Sequence, residues 1–251
     1  MVFKLYFFIL TCALIGSSID FIQASYEGNL IDGDIMLLPD EDPWDRKLSI
    51  FKEKRWPNAV VPYDFNQSVY SLLDLYIIRQ GLDEIEKSSC LKFVRRTNEQ
   101  DYIYLTPLGG CWSYIGRNGM QQTLSLVVPD CIVKGTVIHE FMHALGFWHE
   151  HSRIDRDDYI DVLWQNVMND DKKMNFAKHI PGEMNFLNYP YDYRSIMHYN
   201  AYAFSKLPGL PTMKPKKSNV KLKDLGRAKY VGTLTDIDKL KLNEFYDCSK
   251  N

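Results

Sequence analysis

One stretch near the middle of the chain, His139-Glu140-Phe141-Met142-His143-Ala144-Leu145-Gly146-Phe147-Trp148-His149-Glu150, constrains the molecule more than any other. Side chains four apart on a helix share a face, so His139 and His143 can present nitrogen to one metal ion. Glu140 follows the first of them and can reach a water held by such a metal from the side. Gly146 accepts the left-handed backbone that ends a helix, which lets the chain turn back and deliver His149 as a third ligand. Three protein ligands leave one tetrahedral position open, the property that separates a catalytic zinc site from a structural one. The plainer reading is an amphipathic helix whose Phe141, Met142, Leu145 and Phe147 are core residues. Both hold together, because ligands on a helix need a buried back face to keep them still. The stretch points to a metal-dependent hydrolase.

A chain of 251 residues, 45% hydrophobic and 14% aromatic, can bury one substantial core divided by a cleft. Residues 47–63 read as loop and then strand. Ser68 to Ser88 carries Val69, Leu72, Leu73, Leu75, Ile78, Leu82 and Ile85 at helical spacing. Cys90 to Arg96, Asp101 to Pro107 and Gln122 to Val128 read as strands, and Ile132 to Leu145 as the metal helix. Beyond His149 the chain is rich in Asn, Asp, Tyr and Pro, and irregular until Asp236 to Phe245, a closing helix capped by Thr235 or Asp236. This order predicts an α+β domain with a twisted mixed sheet and helices in its first lobe.

The residues around the metal stretch carry a family likeness. Glu150 followed by His151-Ser-Arg-Ile-Asp-Arg-Asp-Asp-Tyr159 resembles the astacin family of metzincin zinc endopeptidases. So do Ser195-Ile196-Met197-His198-Tyr199, Trp56-Pro-Asn-Ala-Val-Val-Pro-Tyr63 and Gly110-Cys111-Trp112-Ser113-Tyr114-Ile-Gly-Arg117. The resemblance extends from about residue 47 to Cys248. It implies a two-lobed zincin-like catalytic domain with a largely irregular C-terminal lobe and one Zn²⁺ per chain. It implies metal ligands His139, His143 and His149, Glu140 as general base, and Met197 as the apolar floor of a Met-turn. Tyr199 is implied to bind zinc in the free enzyme and to swing away to stabilise the oxyanion. Substrate would add as a strand along Trp112 to Ile115.

The N-terminus adds processing signals. Lys4 followed by the apolar run Leu5 to Ile15 reads as a secretory signal, residues 1–18 with an alternative end near 24. The run is shorter than the roughly 20 residues a spanning helix needs. Export makes Cys90, Cys111, Cys131 and Cys248 an even set for two disulfides, with three possible pairings. Chemistry favours Cys111 with Cys131, and the resemblance implies that pair together with Cys90–Cys248. Asn66 heads a single N-glycosylation sequon. Residues 19–46 hold eight acids and one base; without them and Lys4, the part from residue 47 keeps 28 basic and 24 acidic residues, near +4. That charge is too small to argue for nucleic acid.

Ile31-Asp32-Gly33-Asp34-Ile35 resembles the family's propeptide motif, with Ile31 where an aromatic is usual. On that likeness Asp34 blocks the open metal position, and residues 19–46 form an acidic propeptide removed by a trypsin-like protease after Arg46. The new ammonium would join a network reaching Glu150. The expected product is residues 47–251, a minimal, monomeric, extracellular zinc endopeptidase acting on proteins or peptides; the alternative is an inactive secreted binding relative. His151, His179 and His198 are expected at the surface or behind the ligands, and Asp155, Asp157 and Asp158 in charge networks rather than a calcium loop. Lys206, Lys214, Lys216, Lys217, Lys221 and Arg227 form a basic face; a role for one of them in an acidic primed-side preference is the sharper reading.

Overall fold

The computed structural model describes residues 30–38, 54–178 and 188–248. The signal segment, the proposed cleavage site, the new N-terminus and His179 lie outside these. Four strands form the centre of a mixed sheet: β3 (Val60–Phe65), β4 (Lys92–Arg95), β5 (Tyr102–Leu105) and β7 (Gln121–Leu126), all mutually parallel along the order β7-β5-β3-β4. β6 (Cys111–Tyr114) joins β7 antiparallel. An N-terminal hairpin of β1 (Leu30–Ile31) and β2 (Ile35–Met36) then adds to β6, with β2 parallel to it. The order β1-β2-β6-β7-β5-β3-β4 therefore ends in the strand pair of residues 30–36.

Two helices cover the sheet. α1 (Leu72–Ser88) starts four residues later than the apolar spacing predicts. Ser71 explains this: its hydroxyl accepts from the Asp74 amide (3.2 Å), and Asp74 accepts from the Ser71 amide (2.8 Å). That reciprocal capping box fixes the first turn and leaves Leu72 87% exposed, outside the stripe of Ile78, Leu82 and Ile85 that packs inward. α2 (Lys134–Ala144) runs against α1 and carries the metal motif. Its inner residues Val137, Ile138, Phe141 and Met142 join the core built on the sheet.

The second lobe is less regular, as expected, but not structureless. It holds a two-stranded antiparallel sheet, β8 (Ile160–Val162) with β9 (Met213–Pro215), and the short helices α3 (Asp170–Lys173) and α4 (Arg227–Val231). Its own core gathers Phe176, Tyr191, Tyr193, Tyr199 and Met213. α5 (Asp236–Phe245) closes the chain, capped by Thr235 and Asp238 in a second capping box. Cys90 is joined to Cys248 and Cys111 to Cys131, the pairings the resemblance implied. Asn66 is half-buried in the turn after β3, where its side chain accepts from the Ser68 amide, while Gln67 and Ser68 are exposed. Among the described residues no helix is long and apolar enough to cross a membrane.

Candidate metal centre

The last carbonyls of α2 have no partners within the helix. The Trp56 indole donates to Ala144 O (2.8 Å), the Tyr246 hydroxyl to Leu145 O (3.0 Å) and the Gly116 amide to His143 O (2.9 Å). The helix end is thus clamped from three distant parts of the chain. Gly146 then takes a φ of 109°, and the chain reverses to bring His149 back beside His139 and His143.

Second contacts aim the rings. His139 Nδ1 lies 2.7 Å from Ile196 O, and His143 Nδ1 lies 2.7 Å from Phe147 O. A carbonyl can only accept, so each Nδ1 carries the proton and each Nε2 turns its lone pair to the centre. His139 Nε2 stands 3.2 Å from His143 Nε2 and 3.3 Å from His149 Nε2. Ligands about 2.0–2.1 Å from a tetrahedral ion stand roughly 3.3 Å apart. The nitrogens therefore have the mutual spacing of a tetrahedral zinc site.

Asp34 fills the remaining side. Its carboxylate lies 3.1 Å from His139 Nε2, 3.1 Å from His149 Nε2 and 3.6 Å from His143 Nε2, so four ligand groups converge. Burial alone would raise the Asp34 pKa, but the His149 charge and the three imidazole contacts hold it well below the usual carboxylate range. Burial likewise opposes protonation of His149, yet Asp34 and Asp32 push it up to about 9.

Glu140 is fully buried, and neither carboxylate oxygen has a hydrogen-bond partner among the described residues. Burial and the charge of Asp34 drive its pKa well above the ordinary value; a bound cation would act in the opposite direction. Met197 is buried, and its turn links both lobes: Ile196 and Met197 belong to the first core and Tyr199 to the second. Tyr199 is buried against the His149 ring, with centroids 4.7 Å apart. Its hydroxyl donates to the Asp32 carbonyl, and its ring stacks on His151 with centroids 3.8 Å apart.

Other sequence expectations divide. His151 and His198 are buried behind the ligands, which rules out the surface alternative for both: His151 Nε2 faces Asn175 O, and His198 sits between the Tyr191 hydroxyl and Tyr199 O. Asp155 pairs with Arg153, and Asp157 with Arg156 and Lys178, so these acids serve charge networks. Lys214 and Lys216 pair with Asp161, Lys206 donates to Gln165 O, and Arg227 lies 3.9 Å from Asp224; none of these contacts reaches the histidines. Glu150 meets Lys241 and Arg153. Two residues escaped sequence reasoning. One is Lys241. The other is Asp32, fully buried with its carboxylate 3.4 Å from the Ser152 hydroxyl and 3.8 Å from His149 Nδ1.

Comparison with known proteins agrees with this geometry. The zinc metalloproteinase nas-4 of Caenorhabditis elegans is 41% identical over 231 residues, covering 88% of this chain and 70% of nas-4. The worm's nas-14 is 37% identical over 91% of this chain, which spans about half of nas-14 (49%). Among solved structures, high choriolytic enzyme 1, a hatching-enzyme zinc protease from the medaka Oryzias latipes, superposes with a TM-score of 0.69 at 37% identity. That match covers 77% of this chain and 93% of the medaka enzyme. Myroilysin shares the fold at 20% identity and a TM-score of 0.53. Residues 49–247 match the sequence model of the Astacin peptidase family, and the chain belongs to that family, its three-histidine centre being that of an astacin zinc metalloprotease domain.

Proposed function

We propose that the chain is a secreted endopeptidase made as a zymogen, in which the leader occupies both the metal centre and the substrate strand. The observation that carries this is the double seat of one short segment. Asp34 lies among the three imidazoles while β2, which begins at the next residue, pairs with β6 at Ser113 and Tyr114. The Ser113 amide donates to Asp34 O (3.0 Å), so the same backbone group that would receive a substrate is taken. Gly33 makes the approach feasible: a Cβ there would stand 2.6 Å from the Phe204 ring and 3.1 Å from the Tyr199 hydroxyl.

Activation by cleavage after Arg46 removes residues 19–46 and frees these groups. Zinc, when bound, supplies a Lewis acid that brings the pKa of water to about 7 and polarises a carbonyl. Glu140, with two unpartnered oxygens, accepts the proton of the attacking water and passes it to the leaving amine. Tyr199, released from the Asp32 carbonyl, has its hydroxyl available to the oxyanion. Peptide substrates add to the vacated edge of β6. Two disulfides and the apolar N-terminal run fit an oxidising, extracellular destination. The inactive-relative alternative gains nothing from a site that retains both its ligands and its base.

The test is a set of three proteins: uncut, trypsin-cut, and cut Glu140→Ala. The cut protein is expected to hold one zinc per chain and to cleave a quenched peptide. Glu140→Ala should keep the zinc and lose at least about a thousandfold in rate. Cleavage that survives in Glu140→Ala, or in chelated protein, would remove this reading.

A further inference from the structure

The carboxylate of Glu150 lies in the worst place to leave a charge unpaired. It follows the third ligand directly, it is 5% exposed, and its amide donates to Met197 O (2.9 Å), so it ties the His149 loop to the Met-turn. Its Oε1 accepts from Arg153 Nη1 and from the Asp192 amide, each at 3.0 Å. Arg153 divides its guanidinium between this contact and two bonds to Asp155 (2.9 and 2.8 Å). Oε2 accepts from Lys241 Nζ at 2.6 Å, and Lys241 is itself 3% exposed. A lysine is buried to that extent only when its ammonium is paired.

The lysine comes from α5, and one turn earlier the same helix face carries Asp238. Asp238 accepts from the Ser195 hydroxyl (2.6 Å) and the Ile196 amide (3.0 Å). A single helix face thus holds the Met-turn through an acid and the His149 loop through a base.

We infer that Lys241 is a positioning residue for the metal centre: it is the internal counter-ion that fixes Glu150, and with it the His149 loop, while the leader is still in place. This rests on the endopeptidase reading above and changes one part of it. Both Glu150 oxygens are engaged before any cut, so the ammonium created after Arg46 is not needed to assemble the third ligand. Removal of the leader is then the essential event, and an N-terminus displaced by one residue still gives an active enzyme.

The experiment compares the trypsin-cut parent, Lys241→Met, Lys241→Arg, Glu150→Gln and the double variant Glu150→Gln/Lys241→Met. Three quantities are read: kcat and KM on one peptide, the rate of zinc transfer to a colorimetric chelator, and the melting midpoint. Lys241→Met should lower kcat and speed zinc loss by about tenfold each, with KM within about twofold. Lys241→Arg should recover to within about threefold of the parent. In the Glu150→Gln background the lysine substitution should change either rate by less than about threefold, because no buried charge remains to be paired. Equal effects of Lys241→Met in both backgrounds overturn the inference, as does a folded Lys241→Met with parental kcat and zinc retention. If Lys241→Met does not fold, a folded double variant supports the pairing and an unfolded one refutes it. A parent without zinc or activity would instead refute the endopeptidase reading; the melting midpoints would still test the coupling.

Discussion

Replacing Asp34 by alanine in uncut protein tests the proposed lock directly. Arg46→Ala/Lys47→Ala must accompany it, so that no cleavage intervenes. The carboxylate makes two contacts of 3.1 Å and one of 3.6 Å with the ligand nitrogens. Because those nitrogens present lone pairs, the carboxylate is held electrostatically rather than by hydrogen bonds; removing one member of a buried charge pair costs roughly 3–5 kcal/mol, so the proposed leader's hold weakens by about 3 kcal/mol or more. Each 1.4 kcal/mol is tenfold in an equilibrium, so the open fraction should rise by roughly 150-fold. The remaining contacts limit the gain. β2 still pairs with β6, the Ser113 amide still finds the backbone carbonyl of residue 34, and Tyr199 still donates to Asp32 O.

Uncut Asp34→Ala is therefore expected to cleave a quenched peptide about a hundredfold faster than uncut parent, yet more slowly than the activated enzyme. Asp34→Asn keeps the shape without the charge and should fall between the two. Zinc content is measured on each protein, because a variant that has lost its metal would also be silent. A zinc-loaded Asp34→Ala whose rate stays within about twofold of the uncut parent would refute the reasoning, since the carboxylate would then add nothing measurable to the strand pairing.

Three further outcomes concern stability. A Cβ on Gly135 would stand 1.7 Å from Lys229 O, where the backbones of α2 and α4 touch; Gly135→Ala should cost at least about 3 kcal/mol, or roughly 6–12 °C in Tm, and an unchanged melting curve would contradict it. The Cys90–Cys248 bridge spans 158 residues and Cys111–Cys131 spans 20, so chain entropy gives roughly 5 against 3 kcal/mol. Double serine variants compared by denaturant unfolding should rank in that order, and the reverse ranking would sink the entropic account. Asp192, buried beside Asp238, has its pKa pushed up to about 6. The folded protein therefore binds the extra proton between about pH 4 and pH 6, and stability falls as pH rises through that window. Asp192→Asn should flatten that slope and stabilise by about 1–2 kcal/mol at pH 7, the raised pKa being partly offset by altered bonds to Thr235 and the Arg194 amide. Parallel pH–Tm curves for variant and parent would show that another group is responsible.

What could be read from the sequence was local in space as well as in the chain. His139, His143, Gly146 and His149 lie on one helix and the turn that ends it, so residue spacing alone determines their convergence. The seat of Asp34 came from likeness rather than from spacing, because 105 residues separate it from His139. Strand order was beyond reach for the same reason: nothing local tells β6 to run antiparallel to β7, or β2 to add to it in parallel. The start of α1 was misplaced because apolar spacing was extended through Val69, although the Ser71 to Asp74 pair already marked the cap.

Lys241 is the instructive omission. In Asp236-Ile-Asp-Lys-Leu-Lys-Leu-Asn-Glu-Phe245 the lysines at 239 and 241 look alike, and a lysine-rich closing helix reads as a solvated face. Helical geometry separates them. Asp238, Lys241, Leu242 and Phe245 fall at i, i+3, i+4 and i+7, and these are the residues that α5 buries. Lys239 lies off that stripe and pairs loosely with Asp236 (3.7 Å). A base and an acid inside an apolar stripe must each have a partner elsewhere, because burial without one costs several kcal/mol. The stripe thus predicts that a buried carboxylate and buried donors face α5, and Glu150, Ser195 and the Ile196 amide are those groups. The last helix of the described residues is thus bound to the loop that carries the third ligand both by Lys241, through Glu150, and by Phe245, whose ring meets Phe147 edge-on.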